Sequence, residues 1–219
     1  MRLQQYADRA VAAGHVGIVI GAISAAGTEW AAAGSTGRGG RCPDDRTIFR
    51  LASLSKVFTA TALASAVTTG DIALDEPVLH HITYRHLATH TAGLPRGDVG
   101  LLDALQAVPG AGFEFPLGAP SGGLYGTIAD LLVFVRQYLT PDAARRLAVT
   151  DRLCWMVDGE RVWHNGALPG YRGYLAFCPV AGTGVAVLSN TAISVDDLGV
   201  DVLSGLRPTA GPALIAKTV

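Results

Sequence analysis

Strand-forming residues crowd both ends of this 219-residue chain while helix-forming ones fill its middle, and that distribution restricts its fold more than any single motif. Near the start, residues 16–23 form a compact run rich in β-branched side chains. Ala25-Ala26-Gly27 and a second run over 28–34 follow. The glycine supplies a turn, so the pair is predicted as a β-hairpin. Near the end, strand-like pieces recur at 153–157, 161–164, 171–178 and 184–190, with turns at Asp158-Gly159 and Ala181-Gly182. That is the pattern of an antiparallel meander. Helical spacing marks residues 3–13, 53–69 with Gly70 as C-cap, 127–139 with Thr127 as cap and Asp130 at N3, a shorter 141–149, and 195–206. A short helical patch is expected at 101–105, and the tail 207–219 is expected to fray. No repeat or linker divides the chain. Strands at both ends must therefore share one antiparallel sheet with helices on its faces, an α+β domain spanning 1–219.

Charge and cysteine usage exclude several functions. Lys+Arg 17 against Asp+Glu 18, with no long run of one sign, leaves no electrostatic footprint for nucleic acid. Hydrophobic residues make up 49% of the chain, yet no apolar run reaches the length of a membrane span, so no membrane partner is expected. Residues 11–26 have the apolar centre and preceding arginines of a leader peptide. Gly14 and His15 interrupt that stretch and Asp8 lies upstream, which favours a strand. Cys42, Cys154 and Cys178 are widely spaced and odd in number, so a reducing, cytoplasmic setting is expected. His86 and His90 stand at i and i+4, a spacing that can bind zinc. The glutamate of His-Glu-x-x-His is absent, so they are read as structural; no metal and no cofactor are expected.

The chemistry centres on Ser53-Leu54-Ser55-Lys56. Residues at i and i+3 on a helix have Cβ atoms about 5–6 Å apart, so a serine hydroxyl and a lysine amine can share a proton there. A hydroxyl is a weak nucleophile at neutral pH, and a desolvated lysine with a lowered pKa is one way to activate it. On its own the motif reads rather as a helix start capped by Ser53, with Lys56 an exposed charge.

Several further blocks give it context. In order, Phe49 to Lys56, Gly70 to Val78, Ile82 to Pro95, Gly122 to Leu131 and His164 to Tyr171 resemble blocks of the serine β-lactamase and penicillin-binding-protein superfamily, particularly its class C β-lactamase and esterase branch. The resemblance implies a β-lactamase/transpeptidase-like antiparallel sheet flanked by helices. It implies Ser53 as nucleophile, Lys56 as base and His164 in the position of the third motif. It also implies an oxyanion hole from the N–H groups of Ser53 and Ala167, with Asn165, Gly166, Phe115 and Tyr125 binding substrate.

The chain departs from the family where Tyr-x-Asn is expected. Pro109-Gly110-Ala111-Gly112-Phe113-Glu114 resembles the lead-in, but Phe115 occupies the tyrosine position and Pro116-Leu117-Gly118 resembles a much later segment. The helical subdomain is thus read as largely deleted. A phenyl ring moves no proton, and losing general acid–base help typically costs about 10²–10⁴-fold. Lys56, His164, water or the substrate must compensate; Tyr125 and Glu114 are weaker candidates. The uncovered surface is expected to meet a partner, as a homodimer contact or a larger ligand's lid. The expectation is an acyl hydrolase or acyl transferase/cyclase for a small ester, lactone, thioester or amide, tailoring a natural-product intermediate. The alternatives are a catalytically silent binding protein and a non-hydrolytic acid–base enzyme.

Overall fold

The structure, a computed structural model, describes residues 3–93, 122–140, 153–206 and 208. Strands β1 (Gly17–Ser24) and β2 (Gly27–Gly34) form the expected hairpin. Two short pairs follow: β3 (Phe49–Arg50) joins β6 (Tyr125–Gly126), and β4 (Pro77–Leu79) joins β5 (Ile82–Thr83). The meander consists of β7 (Met156–Asp158), β8 (Arg161–Leu168), β9 (Tyr171–Cys178) and β10 (Thr183–Ser189). Its last strand pairs with β1 from Ile18↔Ser189 to Ile23↔Gly184, which gives a six-stranded antiparallel sheet ordered β2-β1-β10-β9-β8-β7.

Alternation along the strands sends successive side chains to opposite faces. Ile18, Ile20, Tyr174, Ala176, Val185 and Val187 pack under α1 (Leu3–Ala12) and α5 (Asp196–Ser204). Val19, Ile23, Leu175, Phe177, Ala186 and Leu188 pack under α2 (Ser55–Thr69) and α4 (Ile128–Tyr138). The short helix α3 (Tyr84–Ala88) sits outside these layers, near the far end of α2. Trp155, Tyr138 and Phe177 meet with ring centroids 5.1–5.2 Å apart, which ties α4 and the chain before β7 to β9. Such ring pairs add about 0.5–1.5 kcal/mol each beyond area burial.

Caps match the sequence closely. Gly70 ends α2 at φ +83, and Thr127 exchanges hydrogen bonds with Asp130 (3.1 and 2.9 Å) at the start of α4. Several boundaries differ, and the strand expected at 153–157 begins only at Met156. Strand β8 continues four residues beyond the expected 161–164, because pairing with β9 from His164↔Leu175 to Leu168↔Tyr171 overrides the turn preference of Asn165-Gly166. The helix expected from residue 53 begins at Ser55, preceded by a 3-10 turn at Ala52–Leu54. The expected helical stretches at 101–105 and 141–149 lie outside the described residues, as does the tail apart from Pro208.

One buried polar pair pins β10 to the start of β1. His15 Nδ1 lies 2.9 Å from Ser189 Oγ, and that hydroxyl donates to the Gly17 carbonyl at 3.1 Å. The serine proton is thereby committed, so the ring nitrogen must donate. Burial pulls the His15 pKa below its ordinary 6.5. A folded-state pKa below the unfolded one means that the unfolded chain takes up the proton first as pH falls. The contribution is therefore present above about pH 6.5 and lost as pH drops through the folded value. Denaturant unfolding should show stability declining as pH falls below about 7, with a shallower decline in His15→Gln.

Candidate active site

The Ser53–Lys56 motif is held by a short segment from far along the chain. Leu51 N–H donates to the Leu124 carbonyl (2.9 Å), and Leu124 N–H donates to Ser55 Oγ (3.1 Å). Ser55 is fully buried, so the second serine of the motif is structural. Ala52 takes φ +51, a left-handed conformation that costs a non-glycine residue about 1–2 kcal/mol. Ser53 sits in the tight turn that follows, and Lys56 lies in the first turn of α2. Lys56 Nζ donates to Ser53 Oγ at 2.7 Å.

Strand β8 closes on this turn through Gly166. A Cβ at that position would lie 2.5 Å from the Leu51 carbonyl oxygen and 3.2 Å from Ala52 Cβ, so the contact requires glycine. Ala167, the next residue, is exposed. His164 lies two residues earlier on the same face of β8 and is buried. Its Nδ1 is 2.6 Å from the Asn165 carbonyl oxygen, which can only accept. Nδ1 therefore carries the proton, and Nε2 is the ring nitrogen left to accept one.

Burial dominates the electrostatics. It pulls the Lys56 amine below its ordinary value, with Cys154 acting weakly the other way. It also lowers the His164 pKa; the bond to Asn165 opposes this, and Lys56 and His90 reinforce it. Cys154 thus acts on the ionisation of Lys56, and Lys56 and His90 on that of His164. A desolvated amine beside a hydroxyl can take the hydroxyl proton, and a neutral buried imidazole can accept or relay one.

The remaining expected residues are distributed unevenly. The Asn165 carboxamide points to the opposite face of the sheet and donates to Asp196 at 2.8 Å, so its side chain does not meet Ser53. Asn165 serves this region through its carbonyl. Alternation along β8 makes the reason clear, since neighbours of an inward His164 must point away. Tyr125 is 64% exposed and pairs with Arg50, whose guanidinium lies 5.9 Å from its ring centroid. Phe115 and Glu114 lie outside the described residues, as do the apparent deletion at 116–118 and any partner contact it uncovers. His86 is engaged at the start of α3, where its Nδ1 accepts Thr83 N–H at 3.1 Å. Among the described residues no cluster of His, Cys, Asp and Glu is arranged to hold a metal, and no helix is long and apolar enough to cross a membrane. His90 and Cys154, whose charges act on His164 and Lys56, were not among the expected site residues. Nothing in their spacing from Ser53 announces them.

Comparison with known proteins bears on the fold. Residues 3–109 match the Beta-lactamase family. The fold is similar to a class C β-lactamase from Rhodobacter sphaeroides, with TM-score 0.71 and 17% identity over 88% of this chain and 95% of that one. It is similar also to the D-alanine carboxypeptidase AmpC from Burkholderia cenocepacia, with TM-score 0.72 and 18% identity over 92% and 97%. SurE in its structure with D-Leu gives TM-score 0.70 and 18% identity over 99% and 78%. No curated protein matches by sequence. The resemblance read from the motifs therefore holds, and the α+β architecture is that of the β-lactamase fold.

Gly166→Ala tests the closure of β8 on the turn that carries Ser53. The added methyl meets backbone rather than a movable side chain. We expect a loss of about 1–3 kcal/mol in stability. Covalent labelling at Ser53 should slow by about 10²-fold, the scale of an ångström-sized misplacement.

Proposed function

We propose that this β-lactamase-like chain is a serine-dependent acyl hydrolase or acyl transferase. The observation that carries the reading is the 2.7 Å contact between Lys56 Nζ and Ser53 Oγ, together with the burial that lowers the amine's pKa. In this reading Ser53 Oγ attacks an ester, lactone, thioester or amide carbonyl as its proton passes to Lys56 Nζ. The oxyanion is held by the N–H groups of Ser53 and Ala167, a role supported by the packing of Gly166 on the turn. When the carbon–leaving-group bond breaks, Lys56 returns the proton to the leaving atom. Water or an acceptor nucleophile then attacks acyl-Ser53, giving a free acid or a transferred or cyclised acyl product.

His164 Nε2 assists either proton movement in the absence of the family tyrosine. The D-alanine carboxypeptidase and the class C β-lactamase of similar fold support acyl-enzyme chemistry for this chain. The SurE structure, solved with D-Leu, supports a substrate that carries an amino-acid group, which fits tailoring or cyclising a natural-product intermediate. The three free cysteines fit a reducing, cytoplasmic setting.

Intact-mass analysis after incubation with a fluorophosphonate, and separately with a penicillin, tests the reading. One adduct at Ser53 is expected with the fluorophosphonate, absent in Ser53→Ala. Lys56→Met should slow its formation by about 10²–10⁴-fold. Ester turnover that survives Ser53→Ala would instead indicate acid–base chemistry by Lys56 or His164 without an acyl-enzyme.

A further inference from the structure

Asn165 is tied to both faces of the sheet. Its carbonyl accepts His164 Nδ1–H at 2.6 Å, and its carboxamide donates to Asp196 Oδ2 at 2.8 Å. Asp196 opens α5, where the helix dipole favours a carboxylate. Packing fixes its place. Helix α5 rests on β9 so closely that a Cβ at Gly199 would run into the Tyr174 ring, and Tyr174 is the cross-strand partner of Asn165. Val195, just before Asp196, is fully buried.

This anchor falls where the strand has least support. β7 pairs with β8 only from Met156↔Trp163 to Asp158↔Arg161, so among the described residues β8 has a strand neighbour on one side alone from His164 onward. Asn165-Gly166 also has the chemistry of a turn, and a free asparagine carboxamide bonds to nearby backbone groups in competition with the strand. The Asp196 carboxylate takes up that carboxamide. A charge-assisted bond of this kind is roughly twice as strong as a neutral one.

We infer that Asp196 is a positioning residue for His164. By engaging the Asn165 carboxamide on the far face of the sheet, it keeps Asn165 extended, its carbonyl on His164 Nδ1, and Nε2 open to a proton. The use made of Nε2 rests on the acyl-enzyme reading above. When the ring takes a proton at Nε2 it keeps the one on Nδ1, and it returns the Nε2 proton to the leaving atom. Asp196 acts on Tyr174 as well; burial above all pushes that phenol up to about 12, so it stays protonated at neutral pH and supplies no base.

The readout is which ring nitrogen of His164 carries the proton, seen in long-range proton–nitrogen correlation spectra at about pH 7.5, where burial keeps the ring neutral. The His164 signals are assigned by their loss in His164→Gln. Fluorophosphonate labelling of Ser53 is measured alongside.

Wild type should be protonated at Nδ1. In Asp196→Ala the two nitrogen shifts should converge as the tautomers mix, and labelling should slow by about 10-fold, part of what general acid–base help supplies. Asp196→Asn keeps an acceptor oxygen and should hold the wild-type tautomer. Removing the carboxamide too, by combining Asn165→Ala with Asp196→Ala, should restore that tautomer, an outcome that lost packing alone does not give. A wild-type ring protonated at Nε2, unchanged shifts in Asp196→Ala, or a double variant as mixed as the single one would each overturn the inference. If wild-type Ser53 takes no label while the His164 tautomer follows residue 196, the acyl-enzyme reading fails and the positioning role stands.

Discussion

The pairing of β1 with β10 is the contact on which this molecule depends. Ser53 and Lys56 follow the N-terminal hairpin, whereas His164 and Gly166 belong to the C-terminal meander, and the register Ile18↔Ser189 to Ile23↔Gly184 joins the two into one sheet. Chain closure over such a separation costs entropy before any contact repays it. The repayment comes from two apolar layers that form on opposite faces of the completed sheet. His15 and Ser189 reinforce the junction with a hydrogen bond shielded from water.

Close approach of helix to sheet is the second constraint, and it links stability to chemistry. A Cβ at Gly21 would lie 2.6 Å from Leu132 Cδ1, and one at Gly184 would lie 2.4 Å from Val135 Cγ1, so α4 rests almost directly on the strands. At Gly166 the same closeness brings β8 onto the strained turn at Ala52. Desolvation follows from that packing. The burial that stabilises the core is what favours the neutral forms of Lys56 and His164. A looser interface would leave both groups nearer their ordinary ionisation, and the amine would be a poorer base at neutral pH.

Much of the architecture was legible in the order of patterns along the chain. The hairpin, the meander, the Gly70 cap and the Thr127–Asp130 capping box all follow from local chemistry that the tertiary fold leaves in force. Strand β8 was underestimated because Asn165-Gly166 has the chemistry of a turn, and only pairing with β9 makes it a strand. The start of α2 was placed two residues early, since the left-handed Ala52 reflects contacts with β8 and Leu124 rather than any preference of alanine.

The sequence by itself placed a serine and a lysine three residues apart at the start of a helix, a spacing at which their side chains can share a proton; that they do so is set by the 3-10 turn at Ala52–Leu54, which the tertiary contacts impose. It determined the two-faced sheet as well, because alternation is a property of the strand. Tertiary structure alone decided which distant groups join the pair. Asn165 turns away to Asp196 because its neighbour His164 turns in, and Cys154 reaches the Ala88 carbonyl because Leu153 and Trp155 are anchored on either side of it. Proximity between residues a hundred positions apart is set by how layers pack, and no local spacing encodes it.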